Sequence, residues 1–249
     1  MHRFAINTIF AAGLLASLAP ALAVNEHPSV KRAFKLAPSA DLLYAIILRQ
    51  HGLQLSGEGT LSWRASENAY SIMAETRSPL FGKVLENKSE GEVDAWGLAP
   101  ERFYEKRIRN DPVTTTFKRD SKTIVFTDSG ASYPLKGGEQ DRSSAAWQLI
   151  AVARAAPEKM VAGSEWDFFV AGQRDAEPWV FKVKDQEMVH LVQGDVSAVH
   201  LVKAPPPDAK GQQVDIWLAP SLEWYPVRLR FADHDGDFVE QTLEKISKK

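Results

Sequence analysis

The sequence predicts a mainly β protein: a strongly curved antiparallel sheet, or a partly closed barrel, with one buried helix at about residues 141–156. Short apolar runs fill most of the chain, and turn residues separate them at intervals of roughly 8 to 12 residues. This spacing is typical of strands that pair with their neighbours in sequence, whereas parallel strands would need a helix between them. We expect so long a sheet to curl until it closes or until another element covers its inner face.

The strand pattern is clear in "GTLSW", residues 59–63. Leu61 and Trp63 lie on one side of an extended chain and the polar residues between them lie on the other, which is the period of a half-buried strand. Turn-forming groups follow the runs, for example Asn-Asp-Pro at 110–112 and Asp-Ser-Gly at 128–130. The chain therefore reads as a series of antiparallel strands.

The predicted helix lies in "EQDRSSAAWQLIAVARAAPEKM", residues 139–160. Residues 145–153 are apolar on nearly every side, which indicates a buried helix rather than an amphipathic one, and Pro157 stops it. Its polar head begins with Asp141 and includes Ser144. These residue types either carry chemistry or cap the helix, and we interpret the head as a cap.

The first residues predict export. Residues 1–23 combine a basic start, an apolar run and the pattern Ala21-Leu22-Ala23, which is typical of a secretory signal peptide cleaved after Ala23. We expect residues 24–40 to be a flexible lead and residues 41–249 to form a single β-rich domain. The sequence has no cysteine, so we expect neither a lipid anchor on an N-terminal cysteine nor a disulfide. The predicted location is the periplasm, without a membrane-spanning segment.

The composition limits the classes of binding partner that we expect. Without Arg3, the 30 basic residues become 29, against 32 acidic residues, which leaves a net charge of about −3. This balance gives no reason to expect nucleic acid as a partner. Seven Trp and twelve Phe supply large rings that either fill a core or line a ligand groove. The aromatic residues that we expect in the interior are Trp63, Trp147, Phe168, Trp179 and Trp217.

Few residues suggest catalysis or metal binding. The sequence has no G-x-S-x-G motif, although Ser143 or Ser144 could pair with His190 or His200 across the fold. If residues around Gly194 form a hairpin, the two histidines could lie nearly opposite each other and hold zinc with a third, acidic ligand. We interpret both as ordinary sheet residues, and we predict no catalytic residue, no metal and no cofactor.

Several segments together resemble a known family. In chain order they are "GEGTLSW" (57–63), "GLAPERF" (97–103), "DRSS" (141–144), "EMVHLVQG" (187–194) and "IWLAPSLEWYPVRLRF" (216–231). Over about residues 41–245 the chain resembles a secreted, largely proteobacterial family known as domain of unknown function 3108. The resemblance implies an envelope protein of antiparallel strands and no particular activity. By architecture, the predicted fold is also similar to periplasmic lipoprotein carriers, which hold acyl chains on a concave face.

We therefore expect a non-enzymatic periplasmic protein that binds a lipid or another apolar or amphipathic envelope component between helix and curved sheet. One alternative is a hydrolase of envelope polymers that uses a pair of acids or a Ser–His pair. Another is a structural or interaction protein that binds a partner through a sheet edge and takes no small ligand. The sequence does not identify a protein partner.

Overall fold

The computed structural model describes residue 27 and residues 29–205 and 211–249. Over these residues it contains one sheet of 15 strands and one α-helix, α1 (Ser144–Ala155). The predicted class, a large antiparallel sheet with a buried helix, is confirmed. The predicted signal peptide, residues 1–23, lies outside the described residues.

The strands are β1 (Ala40–Gln50), β2 (Leu53–Ala65), β3 (Ala69–Ser78), β4 (Gly82–Asp94), β5 (Gly97–Arg107), β6 (Val113–Lys118), β7 (Thr123–Phe126), β8 (Ser129–Pro134), β9 (Gln140–Asp141), β10 (Glu165–Ala171), β11 (Ala176–Leu191), β12 (Gly194–Lys203), β13 (Gln213–Leu218), β14 (Pro226–Ala232) and β15 (Phe238–Lys248).

Neighbouring strands in the sheet are also neighbours in sequence at every position but one. The exception is β1, which pairs with β15 and so joins the first strand to the last. Every pair is antiparallel except β9 with β10, which is parallel. The edges are β8 and β9, so backbone hydrogen bonds do not close this sheet into a barrel.

The inner face of the sheet can be followed from strand to strand, because directly paired residues point to the same side. Trp63 stacks on Trp147 of α1 with 4.2 Å between ring centroids, so the Trp63 side faces the helix. One row of paired residues on this face crosses β1 to β7 and consists of Ala40, Trp63, Ile72, Ser89, Phe103, Thr115 and Phe126.

The two ends of the sheet overlap. A second apolar cluster, separate from the main core, consists of Phe117, Ile124, Phe126, Leu135, Phe169, Ala171 and Ala176. Phe126 belongs to the inner face of β7, whereas Phe169 lies on the outer face of β10, because its neighbour Phe168 packs in the main core with α1. The hydroxyl of Thr115 also donates to the carbonyl oxygen of Gly172 across this contact, at 2.7 Å. The sheet is thus rolled up so that β6 and β7 cover the outer face of β10.

The segment before β1 contacts both ends of the sheet. The His27 ring stacks on Phe169 with 3.8 Å between centroids, and its Nε2 lies 3.1 Å from the carbonyl oxygen of Pro134. Arg32 donates to the Asp167 carboxylate at 2.9 Å. The described residues of this segment therefore make specific contacts with the sheet, and the predicted flexibility of residues 24–40 stays a prediction.

The helix packs on the inner face near the start of β1. Gln148 in its middle accepts a hydrogen bond from the amide of Leu98 at 2.8 Å and donates to the carbonyl oxygen of Trp96 at 2.7 Å. From the other side, the amide of Lys35 donates to the carbonyl oxygen of Ala151 at 2.8 Å. The helix therefore occupies the half of the concave space next to the start of β1, which we call the helix end.

Candidate functional site

The polar head of the helix forms a buried cap. The carboxylate of Asp141 accepts hydrogen bonds from the amides of Ser143 and Ser144, both at 2.8 Å, and from the Ser89 hydroxyl at 2.6 Å. The Tyr70 hydroxyl continues the network to Ser89 at 3.0 Å. These amides are donors that a helix cannot satisfy internally, so Asp141 stabilises the start of α1.

Burial has the largest effect on the pKa values of the acidic side chains in and beside this helix head. Asp141 and Ser144 are fully buried. Burial raises the pKa of Asp141 to about 6, although the hydrogen bonds from Ser89 and the backbone act in the opposite direction. Burial also raises the pKa of Tyr70, and the nearby charge of Asp141 adds to that increase. The arrangement keeps both side chains away from solvent.

The structure separates the serines and histidines that the sequence could pair. The Ser144 hydroxyl accepts from the amide of Asp141, at 2.8 Å. His190 contacts Asp195 at 2.6 Å instead, and His200 contacts Glu187 at 2.7 Å. The described contacts of these side chains therefore contain no Ser–His pair.

The two histidines also lie far from each other. A hairpin joins β11 to β12 as the sequence suggests, but His190 pairs with Asp195 near its turn. His200 lies opposite residues 184 and 185, which is about five residues, or roughly 17 Å, farther along β11. They do not form the zinc pair that facing positions would allow.

Four of the predicted interior aromatic residues are buried: Trp63, Phe168 and Trp179 on the inner face of the sheet, and Trp147 on α1. Trp63 stacks on Trp147 and donates from its indole nitrogen to the carbonyl oxygen of Ala37 at 3.0 Å. Phe168 and Trp179 each meet the ring of Phe181 edge-on, at 6.2 and 6.0 Å. These rings fill the space between helix and sheet.

Trp217 belongs to the main core cluster, but it lies on the outer face of the sheet. It pairs with Arg228, which pairs with Thr242 and then with Ala45, the outward neighbour of Tyr44. Trp217 is nevertheless buried, because His200 stacks on it at 4.2 Å and the Arg228 guanidinium lies 5.5 Å from its ring centroid. The sequence held a clue in "VDIWL", residues 214–218: Asp215 and Trp217 share one side of the strand, and the acid marks that side as outward.

The other half of the concave face carries an apolar row that the sequence reasoning missed. Leu55, Leu48, Val239 and Phe231 are successive cross-strand partners on β2, β1, β15 and β14. Leu48 is two residues from the inward-facing Ile46, so the row belongs to the inner face. We call these four side chains the far-end row, because they lie at the end of the concave face away from α1.

The far-end row is only partly covered. Phe231 packs against the main core and is half-buried, as are Leu48 and Val239, while Leu55 is 39% exposed. Leu85 on β4 is another half-buried apolar residue of the same face. The inner wall of the sheet is therefore apolar here yet open to contact, which is typical of a surface that binds a nonpolar ligand.

A polar groove of about 590 Å³ borders this face near the overlap. Arg107, which pairs with Leu85, and Arg174 line it and are 53% and 67% exposed. Each guanidinium contacts one acid, Glu105 or Asp128 respectively. The groove therefore places two exposed guanidinium groups, together with the acids Glu105, Asp111 and Asp128, beside the apolar wall.

A family model described as protein of unknown function DUF3108 matches residues 43–244. The chain belongs to this family. The resemblance predicted from the sequence is thereby confirmed at the level of the DUF3108 family, while export and a proteobacterial origin stay predictions. Among curated proteins, none matches the chain in sequence.

The chain is also similar to solved structures. A β-barrel-like protein of domain of unknown function DUF1849 from Brucella abortus has a TM-score of 0.56 at 13% identity, over 87% of this chain and 100% of that chain. A domain from Vibrio parahaemolyticus described as an outer membrane lipoprotein-sorting protein has a TM-score of 0.35 at 9% identity, over 85% and 86% of the two chains. An exported protein with a YmcC-like fold from Bacteroides fragilis has a TM-score of 0.32 at 9% identity, over 88% and 100%. The first likeness shows the fold, and we base no argument on the other two.

None of the helices in the described part of the chain has the length and apolar character needed to cross a membrane.

Proposed function

We propose that this DUF3108 protein is a non-enzymatic periplasmic binding protein that holds an acyl chain of an envelope lipid on its far-end row. The observation that carries the proposal is the row itself: aligned apolar side chains on a concave face, at the end that α1 does not fill. When a nonpolar chain covers apolar side chains that are partly exposed on a concave wall, the free energy falls by about 25 cal/mol per Å² of buried apolar surface.

The far-end row is a different site from the groove between helix and sheet that the sequence suggests. The stacked rings of Trp63 and Trp147 fill the interface between helix and sheet. Hydrogen bonds of Gln148 also join the helix to the chain around Leu98. We therefore assign the ligand to the opposite half of the concave face, where Leu48 and Leu55 remain in contact with solvent.

The polar groove supports an amphipathic ligand over a purely apolar one. Arg107 pairs directly with Leu85, so a guanidinium lies beside the apolar wall on the same face. An acyl chain on the wall would place an anionic head group, a carboxylate or a phosphate, near Arg107 and Arg174. Both arginines already contact one acid each, so we expect them to orient the head group more than to supply affinity.

Native mass spectrometry of the protein purified from a periplasm without detergent tests the proposal. We expect an adduct in the mass range of a fatty acid or phospholipid, which solvent extraction removes and lipid analysis identifies. A bare protein mass that stays unchanged after incubation with envelope phospholipids and fatty acids would contradict the proposal. That result would favour the interaction or hydrolase alternatives.

A further inference from the structure

A polar cluster on the outer face of the sheet is unconnected with the far-end row. Nδ1 of His200 lies 2.7 Å from a Glu187 carboxylate oxygen, and Nε2 lies 2.8 Å from an Asp215 carboxylate oxygen. The imidazole is fixed between these two acids by its stack on Trp217. Both ring nitrogens thus have an oriented carboxylate partner.

An irregularity in β11 brings a third acid to the cluster. Between Val183 and Gln186 the register with β12 shifts, so that Lys184 and Asp185 together lie opposite His200. Such bulges redirect side chains and are over-represented next to functional sites. As a result, ligand atoms of Asp185, Glu187 and His200 all lie within 4.8 Å of one another.

We propose that Asp185, Glu187 and Nδ1 of His200 bind a divalent transition-metal ion, with zinc as the best fit. One imidazole nitrogen and two carboxylates form a donor set that zinc accepts, and a water molecule would complete four-coordination. The cluster contains three carboxylates, with the Arg228 guanidinium over Trp217 and Arg230 opposite Asp215 on β14.

The surroundings of the three ligands match those of a metal site. Histidines that bind metals commonly donate their other ring N–H to a carboxylate, and an Asp215 oxygen lies 2.8 Å from Nε2, where it would accept such a bond once Nδ1 faces the ion. The Trp217 indole N–H donates to the second Glu187 oxygen at 2.8 Å, and Gln213 donates to the second Asp215 oxygen at 2.8 Å. These bonds orient both carboxylates before any ion arrives.

Isothermal titration of zinc into untagged, chelator-treated full-length mature protein tests the site. We expect saturable binding of one ion per chain. Asp185→Asn and Glu187→Gln should each weaken binding by roughly tenfold or more. His190→Asn is the matched control, because His190 has a single carboxylate partner, Asp195, on the same hairpin, and it should leave the affinity unchanged.

Asp215 is a positioning residue, so its variant needs a separate measurement. Asp215→Asn should weaken zinc binding by about 10- to 100-fold and alter the visible absorption of bound Co²⁺, while the protein stays folded by circular dichroism. The proposal would be overturned if zinc failed to saturate the wild-type protein. It would also be overturned if His190→Asn weakened binding as much as Asp185→Asn does.

Discussion

Asp141 shows how one buried carboxyl group can serve the fold while its position suggests chemistry. It lies at the head of a helix beside serines, and its pKa is raised to about 6, a combination often found at active sites. Its partners, however, are two backbone amides and a buried serine hydroxyl, and no part of it reaches solvent. The raised pKa therefore predicts an effect on stability.

Asp141→Asn should remove a pH dependence of the free energy of unfolding. A carboxyl group with a pKa raised from 3.8 to about 6 contributes stability that is fully present below pH 3.8 and is lost as pH rises through about 6. Between pH 4 and 7, the stability of wild type relative to the variant should therefore fall by up to roughly 3 kcal/mol. Urea denaturation of both proteins at the two pH values measures this, and a difference that does not change with pH would contradict it.

For single residues, the sequence predicted which side chains are buried better than it predicted the face of the sheet on which they lie. Trp63 and Trp147 lie in the interior because large rings seek burial, and that rule needs no structure. Trp217 obeys the same rule from the outer face, where its neighbours His200 and Arg228 bury the ring. Those neighbours come from other strands, so the sequence alone could not reveal them.

The helix is the element that the sequence predicted best. The predicted span of about 141–156 compares with Ser144–Ala155 in the structure, since apolar residues on all sides and Pro157 define it. Burial on all sides also explains why its polar residue Gln148 must find partners within the protein. Those partners, Trp96 and Leu98, lie on another element and could not be predicted.

Gln148→Met should lower the free energy of unfolding by about 1–3 kcal/mol, because the buried amide of Leu98 and the carbonyl oxygen of Trp96 lose their partner. Ala146→Met is the control, since it adds the same side chain at a half-buried position of the same helix. Chemical denaturation compares the two. Equal stability of Gln148→Met and wild type would show that the two hydrogen bonds contribute nothing net.

The strands themselves were predictable from alternation, whereas the bulge in β11 was not. The stretch "VKDQEMV", residues 183–189, gives no sign that residues 184 and 185 share one partner position. Yet that extra residue brings Asp185 to His200 and so creates the cluster on the outer face. One extra residue in β11, relative to its partner strand β12, therefore decides which side chains meet.

For the whole molecule, the sequence predicted a curved sheet, but not how the two ends of that sheet meet. The sheet neither closes through hydrogen bonds nor leaves its ends apart, because an apolar patch on the inner face of β6 and β7 matches one on the outer face of β10. Phe168 and Phe169 show the reason: adjacent on β10, they are 6% and 5% exposed on opposite faces. A strand that is apolar on both faces must pack against other elements on both faces. Its sequence does not show which strands cover the second face.

Phe169→Ala should loosen the overlap locally. Hydrogen exchange, followed by mass spectrometry, should speed up in β6, β7 and β8, because removal of the ring leaves a cavity between these strands and β10. Phe168→Ala is the matched control: its ring packs against Phe181 in the main core, so exchange should rise across the sheet. If both variants gave the same exchange pattern, the overlap would not be a separate contact.

The most direct test of the far-end row compares two neighbouring residues on opposite faces of β1. Leu48 points into the concave space, whereas Ile47 points outward and is 39% exposed. Binding of dansyl-labelled undecanoic acid to Leu48→Gln, Ile47→Gln and wild type is measured by fluorescence titration, with unfolding midpoints as a control for folding. We predict that Leu48→Gln weakens binding by roughly tenfold or more, since a covered leucine is worth about 1.5–3 kcal/mol, and that Ile47→Gln stays within about twofold of wild type. Equal affinities for the two variants, or no saturable binding by the wild-type protein, would contradict the account.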